Sequence, residues 1–172
     1  MSATIRLALP KDVQLLPAIE ISAAQVFRVI EELSWLADST PISVERHRQL
    51  IALATCWVAI DSEDRPQGFL SAQRHGSDLH IYELSVMQSM QRKGIGQRLI
   101  EVSKDYARSQ RLAFVTLTTF TSVPWNAPFY SRLGFQTKAA KDLNQRLASL
   151  LREECKQGFA PEDRCAMAWP VT

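Results

Sequence analysis

An apolar run through Ile81, Leu84 and Val86 breaks into Gln91-Arg92-Lys93-Gly94-Ile95-Gly96, after which Ile95, Leu99, Val102 and Tyr106 recur at steps of four, three and four. That order predicts a strand, a glycine loop and a helix with one buried face. Gly94 and Gly96 remove Cβ atoms from the turn, so successive backbone N–H groups can converge on one anion at the positive end of the helix dipole. The loop reads as a phosphate cradle, and Arg92, Lys93 and Arg98 add mobile positive charge around it.

Two familiar phosphate loops do not fit. A dinucleotide fingerprint would place its third glycine where Leu99 stands, and the G-x-x-x-x-G-K-[ST] spacing does not occur. Nucleic acid is excluded as the anion, because the net charge is only +2 and the basic residues are scattered among acids. A chain of 172 residues, 46 % hydrophobic, predicts one domain, 1–172, with its own core. No run of eighteen apolar residues occurs, and Met1–Arg6 lacks the layout of a signal peptide, so no membrane span is expected and the cytoplasm is the expected location. Cys56, Cys155 and Cys165 are odd in number and without C-x-x-C spacing, which predicts free thiols and no metal.

Further along, Asn126-Ala127-Pro128-Phe129-Tyr130-Ser131-Arg132-Leu133-Gly134-Phe135 reads as a short helix, a glycine cap and a strand entry. Gln91, Gly94 and Gly96 match Q/R-x-x-G-x-G/A, and Asn126, Tyr130, Gly134 and Phe135 match N-x-x-x-Y-x-x-x-G-F. In this order the two segments resemble the acyl-CoA loop and the following signature of the GNAT superfamily of N-acetyltransferases. The resemblance spans residues 4–137 by element order and 83–135 by motif. It implies an α+β fold, a GNAT-like α/β/α sandwich with a mixed, mostly antiparallel sheet of six to seven strands.

The elements expected around the motifs begin with a strand at Thr4–Ala8 and a helix capped by Asp12, with Val13, Leu16, Ile19 and Ala23 on its apolar face. A helical stretch at Val26–Leu36 and a helix from the cap Ser43 to about Ala54 follow. Cys56–Ile60 and Gly68–Ala72 form a hairpin about Ser62–Pro66, and Leu79–Val86 leads into the loop. Phe114–Thr118 is a β-branched and aromatic strand. Asp142 with Gln145 suggests a capping box for a helix to about Cys155, closed by Gly158, and Cys165–Trp169 a last strand.

Acetyl transfer from a thioester to an amine needs a pyrophosphate site, a polarised carbonyl, a base for the amine and an acid for the thiolate. The resemblance assigns acetyl-CoA as cosubstrate to the loop residues Gln91, Arg92, Lys93, Gly94, Ile95, Gly96 and Gln97. It assigns the pantetheine arm and carbonyl oxygen to the backbone of Leu84, Ser85 and Val86. Tyr130 has a phenol protonated at neutral pH, suited to a leaving thiolate, or it is one of two packing aromatics with Phe129. Asn126 suits a pantetheine amide or a helix N-cap. Glu83, a carboxylate in an apolar strand, is the expected base, unless it pairs with a neighbouring cation or points to solvent. His80 is the runner-up, on the opposite strand face, while His47 and His75 are expected on the solvated surface.

Glu31, Glu32 and Asp38 can attract an amine and Trp35, Phe120 and Trp125 can wall a pocket, although solvated charges and core aromatics are the plainer readings. The expected function is direct acetyl transfer to a primary amine of a small molecule. The alternatives are a catalytically silent acyl-CoA sensor and an acetyltransferase of protein N-termini or lysines. The helix at 142–155 and the short final strand suit a homodimer.

Overall fold

The computed structural model describes residues 3–172; Met1 and Ser2, the start of the segment read for a signal peptide, lie outside the described residues. The chain forms two compact units, Met1–Arg74 with Ile81–Tyr106 and His75–His80 with Ala107–Thr172.

In the first unit β1 (Thr4–Leu7) pairs antiparallel with β2 (Cys56–Ile60), and β2 with β3 (Pro66–His75), with a bulge at Ala59/Ile60. The connecting turn is held by Asp61, whose carboxylate accepts the N–H groups of Glu63 at 2.9 Å and Arg65 at 3.0 Å. The next strand, β4 (Asp78–Val86), comes very close to β3 at Gly68, where a Cβ would sit 3.1 Å from the Ser85 carbonyl oxygen. Only glycine lets the two backbones approach there. The core gathers Val13, Leu16 and Ile19 against Ile51, Val58 and Phe69.

The second unit carries the first three residues of β4, parallel to β5 (Phe114–Phe120) from Asp78↔Phe114 to His80↔Thr116. Antiparallel pairs join β5 to β7 (Arg164–Pro170) and β7 to β6 (Gln136–Thr137). The hydrogen-bonded order is β1-β2-β3-β4-β5-β7-β6, a mixed seven-stranded open sheet with helices between its strands. This is the expected α+β class.

The helices are α1 (Leu16–Ala24), α2 (Val44–Ala52), α3 (Ile95–Ser109), α4 (Ala127–Arg132) and α5 (Gln145–Lys156). Ser43 caps α2 as expected, its hydroxyl accepting the Arg46 N–H at 3.1 Å. Three local expectations are corrected. Asp12 does not cap α1: it is buried, closes a 3-10 turn, and binds the Arg6 guanidinium at 2.7 and 3.1 Å and the Leu9 N–H at 2.7 Å. A buried carboxylate gains more from that charge-assisted pair than from a cap. Val26–Leu36 is two 3-10 stretches, Gln25–Val29 and Glu31–Asp38, broken at extended Ile30, in a stretch whose β-branched residues are poor helix formers.

The third correction concerns α5, which is capped by Asn144 and not by Asp142. The Asn144 Oδ1 accepts the Leu147 N–H at 2.9 Å, while exposed Asp142 ends a 3-10 turn. On α3 the buried face is Ile95, Leu99, Ile100, Ser103 and Lys104, with Val102 and Tyr106 half-buried beside it. Tyr106 meets Trp57 edge-on at 5.5 Å.

Candidate active site

β4 ends at Val86, a 3-10 turn follows at Gln88–Met90, and the chain reaches Ile95, the first residue of the 15-residue α3, through Arg92 at φ 59° and Gly94 at φ 79°. The left-handed backbone at Gly94 is the conformation a residue without Cβ adopts freely, and a Cβ built there meets nothing within 4 Å. The Gly94 carbonyl accepts the Arg98 N–H at 3.1 Å. The amides of Ile95, Gly96 and Gln97 therefore belong to the first turn, whose N–H groups have no partner inside a helix. Gln91 ties the loop down: its Nε2 donates to the carbonyls of Val86 at 3.1 Å and Ala23 at 3.4 Å. Arg92, Lys93, Gln97 and Arg98 are exposed around this turn.

The second motif has a local physical account. Pro128 lies in the first turn of α4, and the helix closes with Gly134 N–H on Ser131 C=O at 3.0 Å and Phe135 N–H on Tyr130 C=O at 3.1 Å. With Gly134 at φ 89° these are the two bonds of a Schellman cap. The Phe135 ring meets Tyr130 at 5.7 Å, and Phe129 meets it at 5.1 Å. Tyr130 is buried, its ring fixed by packing. Asn126 stands at the N-cap position without a side-chain capping bond, and its Oδ1 is buried with no hydrogen-bond partner among the described residues.

Glu83 and Ser85 share one face of β4, and the Ser85 hydroxyl donates to the Glu83 carboxylate at 2.7 Å. Ser85 is buried, Leu84 and Val86 half-buried. Two further side chains of the first unit, Glu20 and His47, were not read from the sequence as site residues. Glu20, the sole charge in α1, accepts the Ile42 N–H at 3.0 Å. Burial and the Glu83 charge push its carboxyl up to about 8. His47 has its Nε2 3.9 Å from the Glu20 carboxylate and its ring edge-on to Phe69 at 5.2 Å.

His47 was expected on the surface and is instead fully buried, and burial pushes its pKa down to about 4. The signal was present in the spacing of His47, Leu50 and Ile51, which is one inward helix face. For Glu20 the signal was a lone carboxylate among nine otherwise uncharged residues.

His80 belongs to the second unit. It is buried, its Nδ1 lies 2.9 Å from the Thr116 hydroxyl, and burial with the nearby Arg146 charge lowers its pKa to about 3. His75 is half-buried, 6.4 Å from His80. Asp38 pairs with Arg28 at 2.7 Å, and Glu31 and Glu32 are exposed. Phe120 is buried beneath the Arg164 guanidinium at 4.6 Å, Trp125 is half-buried and Trp35 exposed. The plainer readings of these charges hold, as does that of Phe120. All three cysteines are free, and burial raises the Cys56 thiol to about 11, far from thiolate character at neutral pH.

Residues 25–135 match the model of the acetyltransferase (GNAT) family. Among solved structures the fold resembles Ard1 from Thermoplasma volcanium, with 17 % identity and a TM-score of 0.71 over 100 % of this chain and 99 % of that one. It also resembles the PaiA N-acetyltransferase of Thermoplasma acidophilum, solved with coenzyme A, with 15 % identity and a TM-score of 0.71 over 99 % of each chain. A third likeness is the ribosomal-protein-S18-alanine N-acetyltransferase of Escherichia coli, with 17 % identity and a TM-score of 0.67 over 99 % of this chain and 94 % of that one. At these identities the likeness is one of fold, whereas the family model spans well over half of the chain: it belongs to the acetyltransferase (GNAT) family and is an acyltransferase.

Proposed function

We propose that the protein is a cytoplasmic, single-domain N-acetyltransferase, residues 1–172, that moves an acetyl group from acetyl-CoA directly to a primary amine of a small molecule. The observation that carries this reading is the strand–loop–helix turn at Val86–Ile95, with left-handed Gly94, open space where its Cβ would stand, and first-turn amides beyond it. The cosubstrate supplies an activated thioester. In this reading the amides of Ile95, Gly96 and Gln97 and the side chains of Arg92 and Lys93 bind its phosphates, and Gln91 fixes the loop. The backbone of Leu84, Ser85 and Val86 orients the pantetheine arm, and Asn126 offers its unpartnered Oδ1 to an amide N–H. Glu83 takes the amine proton, and Tyr130 gives a proton to the thiolate.

The test is thermal. Saturating CoA is expected to raise the melting temperature, since a ligand held by the folded state at ~100 times its Kd adds ~2.7 kcal/mol. Gly94→Val forces a β-branched residue into a left-handed turn and is expected to remove that rise while the protein still folds. No rise with wild type overturns the reading. Thiol release from acetyl-CoA over a panel of aliphatic amines and N-terminal peptides then separates a small-molecule acceptor from a protein one. CoA binding without release in any arm identifies a sensor.

A further inference from the structure

The sole charge of α1, Glu20, turns toward the chain just before α2, where its carboxylate accepts the Ile42 N–H at 3.0 Å. The side chain is 18 % exposed, so the carboxylate is largely out of water yet open to a ligand. A carboxylate so placed ordinarily has a cation beside it, and among the described residues no lysine or arginine pairs with this one. The arginines between α1 and the end of α2 are engaged elsewhere: Arg28 with Asp38, Arg48 with Glu45, and Arg46 with Gln73 at 3.0 Å and the Tyr82 ring at 5.2 Å. What does approach Glu20 is His47 on α2, its Nε2 3.9 Å from the carboxylate and so beyond hydrogen-bond length. That ring is fully buried against Phe69, and neither of its nitrogens is hydrogen-bonded among the described residues. A buried ring without a hydrogen bond and a carboxylate without a cation thus meet between α1 and α2, where a further polar group completes both. The same helix is joined to the glycine loop. The Ser22 hydroxyl accepts the Gln88 N–H at 3.1 Å, and the Ala23 carbonyl accepts the Gln91 Nε2 at 3.4 Å. The turn of α1 that carries Glu20 is therefore fixed to the loop that the proposed reading gives to acetyl-CoA.

We propose that Glu20, with His47 behind it, is a binding subsite for a second ammonium group of the acceptor, which makes an aliphatic diamine or polyamine the preferred substrate. This rests on the proposed acetyl transfer and names its acceptor class. An ammonium group supplies what this carboxylate lacks, a positive charge with N–H donors. Burial keeps His47 neutral, so no positive charge of its own competes for the carboxylate. A cation seated there favours the charged form of a carboxyl that burial otherwise pushes up to about 8, and the proton leaves to water. An acceptor that carries a carboxylate in place of the second ammonium meets like charge at the same point.

The first arm of the experiment needs no turnover. The whole chain, saturated with CoA, is titrated at fixed ionic strength with diaminobutane or with n-butylamine, and binding is read by calorimetry. Wild type is expected to hold the diamine roughly tenfold more tightly than the monoamine, the size of one hydrogen bond to a charged group. Glu20→Gln, which keeps an acceptor for the Ile42 N–H, is expected to remove that preference while CoA alone still raises its melting temperature. Equal affinity for the two amines in wild type overturns the proposal, whether or not the variant folds. A preference that survives in Glu20→Gln overturns it as well. In the second arm, with acetyl-CoA, Glu20→Gln is expected to raise KM for the diamine by roughly the same factor and to change kcat little, because the contact is made in ground and transition states alike. A loss confined to kcat overturns the binding role. Wild type that binds the diamine tightly and releases no thiol counts against the proposed function and leaves the subsite supported.

Discussion

At the scale of single residues, Tyr130 shows how packing and chemistry separate. Its ring is accounted for by the Schellman cap and by the contacts to Phe129 and Phe135, so only the hydroxyl remains for the proposed acid role. Tyr130→Phe is therefore expected to keep the fold and the CoA-dependent rise in melting temperature. Turnover should drop by ~10²–10⁴-fold, the contribution of a general acid. The loss should shrink for acyl donors whose thiols leave more readily. Full activity in this variant, or equal losses across donors, would leave Tyr130 with packing alone. Paired measurement of CoA affinity and kcat decides it, because an interaction made only in the transition state lowers kcat without weakening ground-state binding.

At the scale of elements, caps and pairs decide where helices begin and what they rest on. Asn144→Ala is expected to cost ~1 kcal/mol, the value of an N-cap, in urea unfolding, whereas Asp142→Ala should cost next to nothing. Equal effects would contradict the observed start of α5. Further along that helix, Glu154 accepts the Thr118 hydroxyl at 2.6 Å and the Arg164 guanidinium at 3.2 Å, joining α5 to β5 and β7. Arg164 also lies over Phe120 and Phe159, so both its charge and its plane are used. The sequence showed the apolar face of α5 and the last strand at Cys165–Trp169, which the structure extends to Arg164. It gave no sign of this three-element bond, because the partners are distant in the chain.

At the scale of the whole molecule, buried titrating groups give stability a pH dependence of calculable sign. His47 and His80 have folded pKa values of about 4 and about 3, below the ordinary 6.5. The unfolded chain thus binds more protons as the pH falls through 6.5. Their neutral burial stabilises the fold above that pH, and the contribution is lost as the pH drops toward 4, by up to ~1.4 kcal/mol per pH unit for each ring. Glu20 has the opposite sign. Its folded pKa is raised from 4.5 to about 8, so its contribution is complete below 4.5 and disappears as the pH rises through 8. The two ranges overlap, so urea unfolding across pH 4–9 is expected to show a maximum where the opposing slopes cancel, near the ordinary histidine pKa of 6.5, with Glu20→Gln flatter on the alkaline side and His47→Gln flatter on the acid side. An acid limb identical in wild type and His47→Gln would mean that the His47 ring is charged and paired in the folded protein.

Features set within a few residues of each other were legible from the sequence alone. The hairpin at Cys56–Ala72, the Ser43 cap, the glycine loop before α3 and the turn at Gly134 each depend on a local backbone choice or a local hydrogen bond. The family followed from two such segments in order. Asp12 and His47 were misread, because a carboxylate or an imidazole next to a helix signal does not disclose whether a guanidinium on the preceding strand or a phenylalanine on another will cover it. Glu20, His47 and Glu83 stand on α1, α2 and β4, and the charge coupling of Glu20 to Glu83 exists only because the fold of the first unit brings those elements together. Local sequence determined which groups were offered; tertiary packing, by removing water from some of them and opposing their charges, decided which became neutral and which stayed charged.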